Sequence, residues 1–93
     1  MEFIYEPNRI FMQDDNGKTI AEVTFPALSG NTVDLNHTFV DGSLRGQGIA
    51  GRLVAAAAEK MRGEGKKVRP SCSYAQKWFD EHPEYADILL RDA

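Results

Sequence analysis

Ninety-three residues with 42% apolar and 27% charged side chains read as one small globular domain over residues 1–93, near the lower size limit for a single hydrophobic core. No apolar run approaches the ~20 residues of a membrane span, and a net charge of −3 argues against nucleic acid as the main partner. The first residues carry neither a basic region nor a cleavable apolar segment, and the single cysteine, Cys72, has no partner for an intrachain disulfide, so the expected location is a reducing cytoplasm.

In chain order, Phe3-Ile4-Tyr5 and Arg9-Ile10-Phe11-Met12 are short β-prone runs separated by Pro7-Asn8. Asp14-Asp15-Asn16-Gly17 predicts a hairpin turn, with Asn16-Gly17 suited to the positive φ values of a type I′ turn. Thr19 to Phe25 alternates Ile20, Glu22 and Thr24 against Ala21, Val23 and Phe25, and Pro26 ends this strand. After a turn at Ser29-Gly30-Asn31, Val33 to Val40 predicts one continuous strand, with Val33, Leu35, His37 and Phe39 sharing a buried face. Turn-length connections make these strands an antiparallel meander. Ile49, Ala50, Leu53, Val54, Ala57, Ala58 and Met61 then form the apolar stripe of a helix, which Gly63 and Gly65 end. Val68 to Cys72 predicts a short strand returning parallel to Val33–Val40 by a right-handed crossover, kept short or at an edge by Pro70. Ser73 is placed to cap a helix over Tyr74 to Glu81 that stops before Pro83, and Tyr85 to Leu90 predicts one more helical turn.

The segment Arg45-Gly46-Gln47-Gly48-Ile49-Ala50-Gly51 joins the strand to the alanine-rich helix. The first amides of a helix have no intrahelical acceptor and sit at the positive end of its dipole, so a glycine turn in front of them suits an anionic phosphate. Arg45 adds a fixed positive charge. No Lys-Ser/Thr pair follows the glycines, which excludes a P-loop. Gly46, Gly48 and Gly51 satisfy the dinucleotide pattern G-x-G-x-x-G, but the chain has no room for a βαβαβ half. The alternative to an anion site is a glycine turn that holds no ligand.

Arg45, Gly48 and Ala50 also fit Arg-x-x-Gly-x-Ala, which resembles the pyrophosphate loop of the GNAT acetyltransferases. With His37-Thr38-x-Val40, Lys67-Val68-x-Pro70-x-Cys72 and His82-Pro83-Glu84-Tyr85, nearly the whole chain is similar to the small single-domain branch of that superfamily. The resemblance implies a minimal GNAT-like α/β (α+β) fold: a mainly antiparallel N-terminal sheet, the loop helix, a parallel fifth strand and a C-terminal helix. It implies acetyl coenzyme A as ligand, with backbone groups near Phe39 and Val40 holding the pantetheine arm. The amides from Arg45 through Gly46, Gln47, Gly48, Ile49, Ala50 and Gly51 would hold the pyrophosphate, and Ser73 would be a further cofactor-binding residue. The thioester would lie where the fourth and fifth strands splay apart, and the acceptor would be a small-molecule or protein amine, or a thiol. Larger GNAT enzymes often place an Asn at the end of the fifth strand and an acidic Tyr on the next helix. Laid over that pattern, this chain has Cys72 and Phe79, so the usual proton donor is replaced unless Tyr74 or Tyr85 takes its part.

Two residues carry the candidate chemistry. Cys72 is a nucleophile that accepts the acetyl group, or else a small buried residue. His37 is the base for Cys72, a base acting directly on an amine, or a core histidine; an ordinary imidazole titrates near pH ~6.5, where a base at neutral pH is needed. Glu22, Asp34 and Asp14-Asp15 read as solvated charges, His82 as a helix stop or a local hydrogen-bonding group, and Trp78, Phe79 and Tyr85 as core or cofactor-edge packing. No metal-ligand spacing occurs. The rival functions are a non-catalytic coenzyme A sensor and a protein-interaction domain.

Overall fold

The structure, a computed structural model, describes residues 2–90. Strands β1 (Ile4–Glu6), β2 (Arg9–Gln13), β3 (Thr19–Thr24) and β5 (His37–Val40) form an antiparallel sheet in that order, and β4 (Thr32–Leu35) pairs in parallel with β6 (Lys67–Pro70). The 15-residue helix α1 (Ile49–Gly63) crosses the sheet, and α2 (Ser73–Glu81) follows β6. Helix α1 buries Ile49, Leu53, Val54, Ala57, Ala58 and Met61, the predicted stripe apart from Ala50, which is half-buried. That stripe packs against Ile10, Met12, Val23 and Phe25 from the inner face of the sheet. Each large apolar side chain so buried contributes about 1.5–3 kcal/mol, and the alanines let the helix approach the strands closely.

Three local expectations are corrected. Only Gly17 has a positive φ (+81°) in the first hairpin, so the turn is not type I′. Instead the Gly17 amide donates to the Asp14 carbonyl at 3.0 Å, Asp14 Oδ1 accepts from Asn16 and Lys18 amides, and the strand register shifts between Met12 and Gln13. Ser73 does not cap α2: it is the first helical residue, Cys72 is the N-cap, and no side chain caps that end. The reason lies in Pro70, which ends β6 two residues earlier than expected and leaves Cys72 off the strand.

The third correction matters most for the site. Val33 to Val40 is not one strand but two, divided at Asn36. Before the break, Val33 and Leu35 are buried; after it, His37 and Phe39 are exposed and Thr38 and Val40 half-buried. One irregular residue therefore turns the alternation over and swaps the two faces. The same break separates pairing partners. Leu35 stays with β6, accepting from the Ser71 and Cys72 amides at 3.1 and 3.2 Å, while β5 continues alongside β3. The edge of β5 away from β3 carries no strand among the described residues.

The C-terminal segment is fastened to α1 at its far end. Arg62 clamps Asp87 with Nη2 at 2.6 Å and Nε at 3.2 Å, and Arg62 Nη2 also donates to the Glu84 carbonyl at 2.7 Å. The hydrogen bonds from Arg62 hold the Asp87 carboxyl below its ordinary value. A folded-state value lower than the unfolded one means the clamp stabilises fully above the ordinary carboxylate range and is lost as pH falls through the lowered value. Asp87→Asn should therefore lower Tm at neutral pH by a small, salt-sensitive amount, with the difference from wild type closing below about pH 4. Thermal melts from pH 3 to 7 check this.

Candidate coenzyme A site

The 45–51 loop is pinned at both ends and open between. Leu44, closing the 3₁₀ turn Gly42–Leu44, and Ile49, opening α1, are buried, while Arg45, Gly46, Gln47 and Gly48 are exposed. Asp41 steadies the turn by accepting from the Ser43 amide and hydroxyl at 3.0 and 2.6 Å, bonds that lower its carboxyl below the ordinary value. The backbone takes positive φ at Gly46 (+84°) and Gly48 (+70°), a region that side chains rarely adopt. Gly48 is the N-cap of α1, and that helix end has neither a capping side chain nor an acidic residue in its first turn. The amide donors at this positive end of the helix dipole are thus met by no capping side chain, an arrangement suited to an anion.

Val40, Leu44, Arg45, Gly46, Gly48, Ile49 and Ala50 enclose a hollow of about 240 Å³ at this point. Of the residues expected in the cofactor site, Gln47 is exposed on the loop without lining that hollow, and Gly51 lines a neighbouring one of about 440 Å³ with Tyr74 and Trp78. A methyl group built on Gly51 would lie 3.4 Å from the Tyr74 hydroxyl, an ordinary contact distance, so α2 sits close beside the first turn of α1. Phe39 exposes its side chain on the sheet face opposite α1, and Ser73 is exposed at the start of α2.

Cys72 and His37 are separated rather than joined. Across the gap opened at Asn36, the neighbour of Cys72 on β5 is Thr38, with Oγ1 3.7 Å from Sγ. Adjacent strand residues point to opposite faces. His37 accordingly lies on the outer face, where its Nε2 is 3.6 Å from Glu22 Oε1. The expected base–nucleophile pair is therefore not formed, and His37 is half-exposed rather than a core residue. Glu22 is not a free surface charge either, since its Oε2 accepts from Arg9 Nε at 2.5 Å. Sequence reasoning missed Glu22 and Thr38; the one available signal was Asn36, a residue poorly suited to a strand interior.

The two tyrosines differ. Tyr85 donates its hydroxyl to Glu59 at 2.7 Å, which raises its titration above the ordinary phenol value. Tyr74, at the loop side of α2, is raised mainly by partial burial, so its hydroxyl stays a proton donor at neutral pH. Phe79 is buried in the core, and His82 ends α2, with Nδ1 2.7 Å from the Trp78 carbonyl oxygen.

Residues 9–88 match the family model described as GCN5-related N-acetyl-transferase. The chain belongs to the GCN5-related N-acetyltransferase family. A GCN5-like member from Staphylococcus aureus superposes with a TM-score of 0.81 at 29% identity, covering 99% of this chain and 90% of that one. An N-acetyltransferase of the GNAT family from Escherichia coli, YhbS, gives a TM-score of 0.57 at 27% identity over 64% of this chain and 37% of that one. Protein NATD1 from Xenopus tropicalis is 38% identical over 63 residues, and human NATD1 is 43% identical over 63 residues. Each match covers 68% of this chain, and the chain spans only 58% and 56% of those two relatives. No helix among the described residues is long and apolar enough to cross a membrane.

Proposed function

We propose that this chain is an acetyl-CoA-dependent N-acetyltransferase acting on a primary amine of a small molecule or a protein. The observation that carries the reading is the uncapped N-terminus of α1 behind two positive-φ glycines, beside the edge of β5 that pairs with no strand among the described residues. The E. coli neighbour was crystallised in complex with coenzyme A, which supports the same ligand here. Amides from Arg45 to Gly51 hold the pyrophosphate, Arg45 adds charge, and the backbone of Phe39 and Val40 pairs with the pantetheine arm as an added strand would. The thioester then lies in the gap between β5 and β6.

Acetyl coenzyme A brings an activated acyl carbon; the chain supplies position and proton transfer. As the acceptor nitrogen bonds to that carbon and the carbon–sulfur bond breaks, the nitrogen loses a proton to His37, which faces the uncovered side of the sheet. Tyr74 is the donor for the departing thiolate. The products are the acetylated amine and coenzyme A. A second reading keeps Cys72 as acyl carrier, favoured by its place at the N-cap of α2, in contact with Thr38 across the same gap.

Two measurements test these readings. Free coenzyme A at ~100 times its Kd should stabilise the fold by about 2.7 kcal/mol, raising Tm by more than roughly 10 °C for a chain this short. No shift at millimolar ligand excludes the site, and stabilisation without turnover on an amine panel makes the chain a coenzyme A-binding module instead. Incubation with acetyl coenzyme A should leave intact Cys72 unmodified if transfer is direct, and Cys72→Ser should then retain turnover. A hydroxylamine-labile acetyl adduct that forms faster than turnover and vanishes in Cys72→Ser would establish the covalent route, since a hydroxyl is a far poorer nucleophile than a thiolate.

A further inference from the structure

The outer face of the sheet carries a chain of charges that the fold itself does not require. Glu6 on β1, Arg9 on β2 and His37 on β5 share one register row with Thr24, and Glu22 on β3 sits diagonally between Arg9 and His37. Arg9 Nε donates to Glu22 Oε2 at 2.5 Å, Arg9 Nη1 lies 3.4 Å from Glu6 Oε1, and the guanidinium rests 3.7 Å from the centre of the Phe11 ring. The second oxygen of Glu22 is left facing His37 Nε2 at 3.6 Å. Glu22 is the better sheltered partner, with 21% of its side chain exposed against 54% for His37. A partly exposed pair of this length contributes little to stability. What it does is set a carboxylate oxygen beside one particular ring nitrogen, Nε2.

We propose that Glu22, itself held by Arg9, is a positioning residue for His37. This rests on the reading of His37 as the base. Nε2 is the ring nitrogen nearest the Glu22 carboxylate, so a proton carried there leaves Nδ1 as the proton acceptor, and the imidazolium formed when it takes the proton has a negative charge beside it. Arg9 keeps the carboxylate in place from its other side, so the relay runs from β2 through β3 to the free edge of β5. The nitrogen's proton moves to Nδ1 and is then released to solvent, from which Tyr74 regains the proton it gave to the coenzyme A thiolate; no bond to Glu22 is made or broken.

The test is a double-mutant cycle on Glu22→Gln and His37→Gln, with acetyl coenzyme A as donor and butylamine and 1,4-diaminobutane as acceptors. Glu22→Gln alone should lower kcat by roughly tenfold while leaving KM for acetyl coenzyme A within about twofold, and should cause no further loss in the His37→Gln background. In ¹⁵N-histidine spectra the ring signals of His37 should move in Glu22→Gln while those of His82, bound to the Trp78 carbonyl, stay fixed. Equal losses in both backgrounds, a loss in KM alone, or unmoved His37 signals would overturn the relay. Unimpaired turnover by His37→Gln would instead remove the base assignment on which it rests, so the two failures are distinguishable.

Discussion

Gly48→Val should lower coenzyme A affinity at least ~100-fold while leaving a folded protein. The backbone at Gly48 has φ +70°, where a β-branched residue is strained by about 1–3 kcal/mol. A Cβ built there meets no protein atom within 4 Å, so packing in the free protein does not forbid it. The added side chain stands instead at the rim of the hollow, beside the amides proposed to hold the pyrophosphate. Gly17→Val provides the control for strain, because Gly17 has φ +81° and an equally open Cβ direction in the first hairpin. It should lose comparable stability and keep coenzyme A binding. Arg45→Ala, which removes one exposed charge and leaves the amides, should weaken binding less and more at low salt than at high salt. Calorimetric titration of the three folded variants decides; wild-type affinity in Gly48→Val would put the ligand elsewhere.

His37→Ala should reduce kcat by roughly 10²-fold or more, the range removed when a general base is lost, with coenzyme A affinity unchanged. The side chain is half-exposed and on the face away from α1, so its removal leaves no cavity in the core. Added imidazole should restore part of the rate, since the space vacated opens to solvent. A structural histidine would show neither feature: its loss would lower Tm, and imidazole would restore nothing. Rates of acetylated-amine formation with and without 50–200 mM imidazole, on the order of concentrations that populate a weak site, provide the check.

Much of this architecture was legible in the residues. The spacing of Ile49, Leu53, Val54, Ala57, Ala58 and Met61 gave the helix and its buried face, and Pro26, Gly63 and Pro83 marked where elements stop. The glycine loop was readable because its geometry is local, with its positive-φ glycines and the uncapped helix start adjacent in the chain. The face on which His37 lies was not readable, for a physical reason. Alternation of apolar letters from Val33 to Phe39 continues straight through Asn36, although the backbone does not. A single irregular residue reverses which side faces the core, so periodicity assigned His37 to the wrong face and drew it towards Cys72. Glu22 was misread for a related reason: its partner Arg9 lies 13 residues away on another strand, and only the hairpin register brings them together. Pro70 was recognised as a limit on β6, yet its consequence, moving Cys72 from a strand to a helix cap, depended on where pairing with β4 ended.

The most direct test is a coenzyme A titration followed in ¹H–¹⁵N amide spectra of the intact chain. The account predicts that the largest shifts fall on Arg45 to Gly51 and along β5 from His37 to Val40, with little change at the Asp14–Gly17 turn or the Arg62–Asp87 clamp. Saturating coenzyme A that leaves the 45–51 amides unmoved, or moves residues elsewhere instead, would contradict it.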